Sequence, residues 1–225
     1  ERTRTLVPVV LENSNGIPVE LHTHCNTGLG PLCCLEALRL GIQSLNTAIP
    51  PLAHGSSNPS LFNVAANARA MGYASAINED VLQPVARHFT FIAGRENLPI
   101  GKPVEYDSYH YIHQVPGGMI SNFRHQLSRI GMEKRVGKVL AETARVRADF
   151  GYPIMINPYS QFVDYQATMN VILDERYKEV TDEVIQYALG LWGEEESSSM
   201  EPNVRDMILS RPRARELAKW RPPEL

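Results

Sequence analysis

The sequence predicts an α/β segment followed by a mostly helical one. Three observations predict it. Two strand-like apolar runs, residues 17–24 (IPVELHTH) and 42–49 (IQSLNTAI), flank a strong helix pattern at 28–41. Glycines and prolines then punctuate the chain from Gly94 to Gly118, which signals a boundary. Beyond it, apolar residues recur at helical spacing. The expected division is a partial α/β unit over 1–100 and a helical unit over 101–225.

Each element has its own reason. Residues 2–12 (RTRTLVPVVLE) read as a helix carrying Leu6, Val9 and Val10, with Pro8 near its start. The segment NSNG (13–16) is a turn. Residues 17–24 form a short strand ending in polar residues. The helix at 28–41 opens with glycine and Pro31, aligns Leu32, Leu35 and Leu38, and stops at Gly41. Residues 42–49 are a second, buried strand, and the helix between the two fits a parallel crossover. The stretch 50–60 (PPLAHGSSNPS) is a loop whose Ser60 is placed to cap a helix over 61–71, ended by Gly72. Residues 78–93 read as helical.

Past the boundary, helices are expected near 119–130, 132–149, 161–173 and 176–191, the last with Val180, Val184, Tyr187 and Leu191 along one face. A polar stretch EEESSS (194–199) follows. The basic run RPRARELAKWRPP (211–223) is expected to be a solvated tail. There is no internal repeat. Two strands do not make a stable sheet, and parallel strands need both faces covered. The sheet is therefore expected to be completed elsewhere, the more so because the chain opens inside a helix without a cap.

Composition excludes several classes. The chain has 225 residues, a net charge of −3 and a pI of about 6.2, with 43% apolar and 21% charged residues. This is an ordinary globular balance, neither disordered nor collagen-like. Its charge offers no basic footprint, so no nucleic-acid partner is expected. The longest apolar runs fall far short of a spanning helix. Three cysteines (Cys25, Cys33, Cys34), an odd and low number, point to a reduced, cytoplasmic setting.

The sharpest chemical feature is His22-Thr23-His24. Side chains two apart on a strand project to the same side, so two imidazoles at a strand's C-terminal end can meet one cation. Strand ends are where active sites of α/β barrels lie. The competing reading is a hydrogen-bonded histidine pair, and a catalytic zinc-like site wants about three protein ligands. No later cluster supplies a third, and His110 and His113 near Pro116 read as structural or surface residues. Ser56 and Ser57 lie in the loop after the second strand, where a hydroxyl can relay a proton or simply cap a turn. Cys25 is either a soft ligand or a packed thiol, and on a strand it points away from the histidines. Cys33 and Cys34 read as core. No Walker motif, GxGxxG or Gly-x-Ser-x-Gly elbow occurs, and no lysine sits in a biotinylation context.

Three stretches together resemble the carboxyltransferase component of biotin-dependent enzymes acting on 2-oxo acids, the family of pyruvate carboxylase, the oxaloacetate decarboxylase alpha subunit and the transcarboxylase pyruvate-binding subunit. They are VELHTHCNTGLGPLCCLEALRLG, LNTAIPPLAHGSSNPS, and YIHQVPGGMISNFRHQL with the following INPYSQFVDYQATMNVI. Their order and spacing match over nearly the whole chain. The resemblance implies the C-terminal portion of a TIM (β/α)8 barrel, its last two strands and their helices, followed by a helical carboxylase-type domain. It carries two histidine metal ligands onto His22 and His24, for Zn, Mn or Co, and a proton-shuttling hydroxyl onto Ser56. Asn46 stands where the family often has an aspartate. The family's early Arg-Asp motif, which belongs to the strands before the HxH strand, and its Met-Lys-Asp motif are absent from this chain.

The implied reaction is carboxyl transfer between carboxybiotin, carried by another domain or subunit, and a metal-bound 2-oxo acid such as pyruvate or oxaloacetate. The metal lowers the cost of enolate charge as a Lewis acid. The implied partners are a polypeptide carrying the first barrel strands and a biotin carrier, in an oligomer. On this reading the chain is the C-terminal part of a longer carboxyltransferase, or one half of a split one, and is inactive alone. Two alternatives stand beside it. One is an HxH metallolyase of the isopropylmalate synthase or hydroxymethylglutaryl lyase kind, although those usually follow HxH with Asn-Asp. The other is a non-catalytic assembly chain.

Overall fold

The computed structural model describes residues 2–129 and 131–219. The chain divides into two units, one ending at Ser108 and the other beginning at Tyr109.

In the first unit, helix α1 (Arg2–Asn13) forms despite Pro8, which removes one donor from the helix ladder. It packs on α2 (Gly30–Arg39) through Val7, Ala37 and Ile42, with Leu11, Val19, Leu21, Leu40 and Leu45 around them. Leu6, Val9 and Val10 remain exposed. The NSNG turn is closed by the Ile17 N–H to the Ser14 carbonyl (2.9 Å), with Asn15 and Gly16 in the left-handed region.

The two strands are shorter than the sequence suggests. Strand β1 is Glu20–Leu21 and β2 is Ser44–Leu45, paired in parallel with Glu20 opposite Ser44 and Leu21 opposite Leu45. A ladder extends only where a partner continues it, and among the described residues each strand pairs with the other alone. Pro18 also has no N–H to donate. His22 and His24 therefore lie just beyond β1, not within it.

Helix α3 (Leu61–Ala70) starts after Ser60, but the Ser60 side chain makes no cap bond. Its main chain instead forms a parallel bridge with Ala48, whose carbonyl accepts the Leu61 N–H at 2.9 Å. Helix α4 (Glu79–Arg95) is capped by the Asn78 side chain, and Glu79 and Asp80 sit in its first turn, where negative charge suits the helix dipole.

The second unit is helical: α5 (His110–His113), α6 (Gly117–Arg129), a 3-10 turn (Glu133–Arg135), α7 (Val136–Asp149), α8 (Tyr159–Ile172), α9 (Asp182–Ala188), α10 (Glu194–Ser198), α11 (Pro202–Leu209) and α12 (Pro212–Leu217). Residue 130, in the expected helix 119–130, lies outside the described residues. Its largest core gathers Phe150, Phe162, Val163, Ile185, Tyr187 and Ile208. Three expectations change here. The helix foreseen over 176–191 begins only at Asp182: Asp174 and Tyr177 have positive φ, and the Thr181 hydroxyl caps α9 through the Val184 N–H. The polar EEESSS stretch contains a helical turn with Ser197 buried. The basic run is not a solvated tail as far as it is described. Ala214 and Leu217 are buried, Arg211 donates to the Tyr177 and Lys178 carbonyls, and Arg213 grips Asp182 at 2.6 Å. Residues 220–223 of that run lie outside the described residues. No described helix is long and apolar enough to cross a membrane.

Candidate functional site

Parallel register builds the site. Pairing Leu21 with Leu45 puts the residues that follow, His22 and Asn46, side by side at the C-terminal ends of the strands. His22 Nδ1 lies 2.8 Å from Asn46 Oδ1. Two residues on, His24 Nδ1 lies 2.6 Å from the main-chain carbonyl oxygen of Ser56. The inner nitrogens, His22 Nε2 and His24 Nε2, face each other at 3.1 Å, with ring centroids 5.1 Å apart and planes inclined at 57°.

The loop carrying Ser56 is fastened to the histidine segment. The Cys25 N–H donates to the Ser57 carbonyl (2.9 Å), and Asn58 Nδ2 donates to the Thr23 carbonyl (2.8 Å). The loop also closes on itself, Ser57 N–H to the His54 carbonyl (3.0 Å) and His54 N–H to the Asn58 carbonyl (2.9 Å), with His54 and Gly55 at positive φ.

These bonds set the chemistry. A carbonyl oxygen only accepts, so His24 Nδ1 carries the hydrogen and the neutral ring offers a lone pair at Nε2. The Asn46 oxygen imposes the same arrangement on His22. With both rings in that form two lone pairs face each other at 3.1 Å, a contact that is a hydrogen bond when one Nε2 also carries a hydrogen, and a divalent cation between them takes that hydrogen's place. The separation suits this. Two nitrogens each about 2.05 Å from one zinc-like ion stand about 3.3 Å apart at the tetrahedral angle and about 2.9 Å apart at a right angle. The observed 3.1 Å falls between. The pair thus fits two positions of a divalent-metal set whose other members it does not supply: among the described residues no group of three or more His, Cys, Asp or Glu could hold a metal.

Of the residues singled out from sequence, His22, His24 and Ser56 come together, Ser56 through its main chain. Cys25 is buried, and burial pushes its thiol up to about 11, while that of buried Cys34 rises to about 12. Both are packed thiols rather than thiolate ligands. Cys33 is only half-buried, so Cys34 alone of that pair is core. His113 is buried within the second unit, and its Nδ1 accepts the Val115 N–H at 3.0 Å, a structural role. Two residues have no role assigned from sequence. Asn46 is marked there only as standing where the family often has an aspartate, inside the expected strand 42–49, and its contact with His22 needs the register. His54 is half-buried in the serine loop, and burial holds its pKa below the usual histidine range.

Residues 111–225 match the family of the conserved carboxylase domain. The chain is similar to a pyruvate carboxylase subunit of Methanothermobacter thermautotrophicus, at 36% identity over 88% of this chain and 35% of the relative. It is similar to the 2-oxoglutarate carboxylase large subunit of Hydrogenobacter thermophilus, at 32% identity over 85% of this chain and 29% of the relative. Its fold is that of part of the carboxyl transferase domain of Rhizobium etli pyruvate carboxylase, solved with pyruvate: TM-score 0.79, 20% identity, 92% of this chain and 36% of that one. The chain spans about a third of the length of each.

Proposed function

Because the chain belongs to the carboxylase family defined by that conserved domain, we propose that it contributes to carboxyl transfer between carboxybiotin and a 2-oxo acid such as pyruvate or oxaloacetate. The observation that carries this reading is the convergence of His22 Nε2 and His24 Nε2 at 3.1 Å, beyond the C-terminal ends of two parallel strands, where barrel enzymes build their sites. The aldol-type alternative lacks the support of the family match.

In this reading residues 1–100 are the last two strands of a (β/α)8 barrel with their helices, and 101–225 are a helical carboxylase-type domain. The remaining strands and metal ligands come from polypeptide outside these 225 residues, in a longer chain or in a second one, and biotin arrives on a carrier domain or subunit. The two-stranded sheet and the exposed Leu6, Val9, Val10 and Leu32 support such a partner, since open edges and apolar faces are where other chains pair.

The roles divide among the chain's own residues. His22 and His24 hold a divalent metal, which when bound acts as a Lewis acid toward a developing enolate. The Ser56 carbonyl orients His24. The Ser56 hydroxyl moves a proton between the substrate methyl group and biotin. Metal analysis of the assembled enzyme is the test: His22→Ala and His24→Ala are each expected to lose bound metal and carboxyl transfer. Unchanged metal content in both variants would end this reading.

A further inference from the structure

The ring of His24 is settled by the main chain, because no side-chain substitution removes the Ser56 carbonyl. The ring of His22 is settled by a side chain. Asn46 is doubly tied to the strand that leads to His22: its N–H donates to the Leu21 carbonyl at 2.8 Å, and its Oδ1 lies 2.8 Å from His22 Nδ1. Without an acceptor there, nothing at this contact would keep the hydrogen on Nδ1, and the Nε2 position would be open to carry it instead.

We propose that Asn46 is a positioning residue: its amide oxygen holds His22 as the Nδ1–H tautomer, so that the Nε2 lone pairs of His22 and His24 form a prepared half-site for a divalent cation. This rests on the metal reading above. The acceptor is also neutral. A carboxylate in the same place would orient the ring and add negative charge, making the imidazole a more basic ligand. Asn46 orients without adding charge, as does the Ser56 carbonyl. The half-site is therefore two neutral ligands held by two neutral acceptors, and balancing a dication falls to the ligands that complete the set.

The test reads the tautomer directly. In the metal-free chain labelled with ¹⁵N-histidine, in mildly alkaline buffer, long-range proton–nitrogen correlations are expected to show Nδ1–H at both His22 and His24. Asn46→Leu is expected to turn His22 alone to Nε2–H, while Asn46→Asp, which keeps an acceptor in the same place, retains Nδ1–H. In zinc titrations against a chromophoric chelator, Asn46→Leu is expected to weaken binding roughly 10–100-fold, the usual effect of losing a partner that orients a ligand, and Asn46→Asp is not. Finding wild-type His22 as Nε2–H overturns the proposal and needs no variant to fold. So does an Asn46→Leu chain with unchanged tautomer and zinc affinity. If His22→Ala and His24→Ala bind zinc like the wild type, the metal reading falls separately, and the tautomer result still decides the role of Asn46.

Discussion

Gly101 passes so close to Ala53 that a Cβ built on it would lie 1.8 Å from the Ala53 carbonyl oxygen. Its N–H donates to the Pro51 carbonyl at 2.8 Å. Further along, the Asp107 N–H donates to the Thr27 carbonyl (3.2 Å), and a Cβ on Gly28 would lie 2.9 Å from the Val104 carbonyl oxygen. The irregular stretch 101–107 thus straps down both loops of the site, the one after His24 and the one before Ser56.

Gly101→Ala is therefore expected to destabilise the chain by about 1–3 kcal/mol, the usual cost of overpacking, or more if backbone must move. Gly94→Ala is the control. Gly94 lies within α4 and its Cβ would meet open space, so that change is expected to stabilise by about 0.5–1 kcal/mol. Urea unfolding measures both. Equal effects would show that the strap does not press on the loop.

Asp164 gives the second unit a pH dependence. It is fully buried on α8, and among the described residues neither carboxyl oxygen finds a hydrogen-bond donor. Burial pushes its pKa up to about 7, against a smaller pull from the nearby Thr143 hydroxyl. The unfolded carboxyl titrates near 3.9, so below about pH 4 the acid is neutral in both states and its contribution to stability is full. As pH rises the unfolded chain ionises first, and stability is lost until the folded group also ionises near 7. About three pH units correspond to at most about 4 kcal/mol. Asp164→Asn is expected to flatten this slope. Denaturant midpoints at several pH values measure it, and an unaltered slope in the variant would discard the assignment.

Arg176 and Arg213 separate an ion pair that holds a buried carboxylate from one exposed on both sides. Arg176 donates to Glu142 and Asp149, each at 2.6 Å, and Glu142 is only 7% exposed. Removing Arg176 leaves that carboxylate with the Asn170 amide and a looser contact to Arg145. Arg176→Met is expected to cost roughly 1–3 kcal/mol, as for a buried charge short of a partner. The Arg213–Asp182 pair is exposed on both sides, and Arg213→Met is expected to change stability little. Thermal unfolding of the two variants decides, and a reversed order would sink the argument.

The helices were largely legible because their periodicity is local. Asn78, Glu79 and Asp80 announce the start of α4, and Gly72 and Gly41 mark ends that the structure keeps. What failed depends on distant partners. IPVELHTH and IQSLNTAI have strand-like composition, yet pairing decides how much of each becomes strand, and two residues of each do. The basic run looked solvated because its charges dominate the composition. Asp182 lies 31 residues before Arg213, and nothing local to the run reveals that pairing. At the site, the spacing of His22 and His24 pointed to a shared face. The contact of His24 with the Ser56 carbonyl was not legible, because a sequence motif records side chains and the bond is made by backbone.

That last contact makes Ser56 a two-part test. The carbonyl orients His24 and survives any side-chain change at position 56. The hydroxyl is the group proposed to move a proton. Ser56→Ala is therefore expected to leave bound metal and folding unchanged while lowering carboxyl transfer in the assembled enzyme by about 10²–10⁴-fold, the usual range for a lost acid–base group. Ser57→Ala keeps its own carbonyl bond to the Cys25 N–H and is expected to leave turnover near normal. The opposite ranking would move the proton relay to Ser57. Loss of metal together with activity in Ser56→Ala would mean that the side chain supports the loop, and the residue would then act through His24 rather than on the substrate.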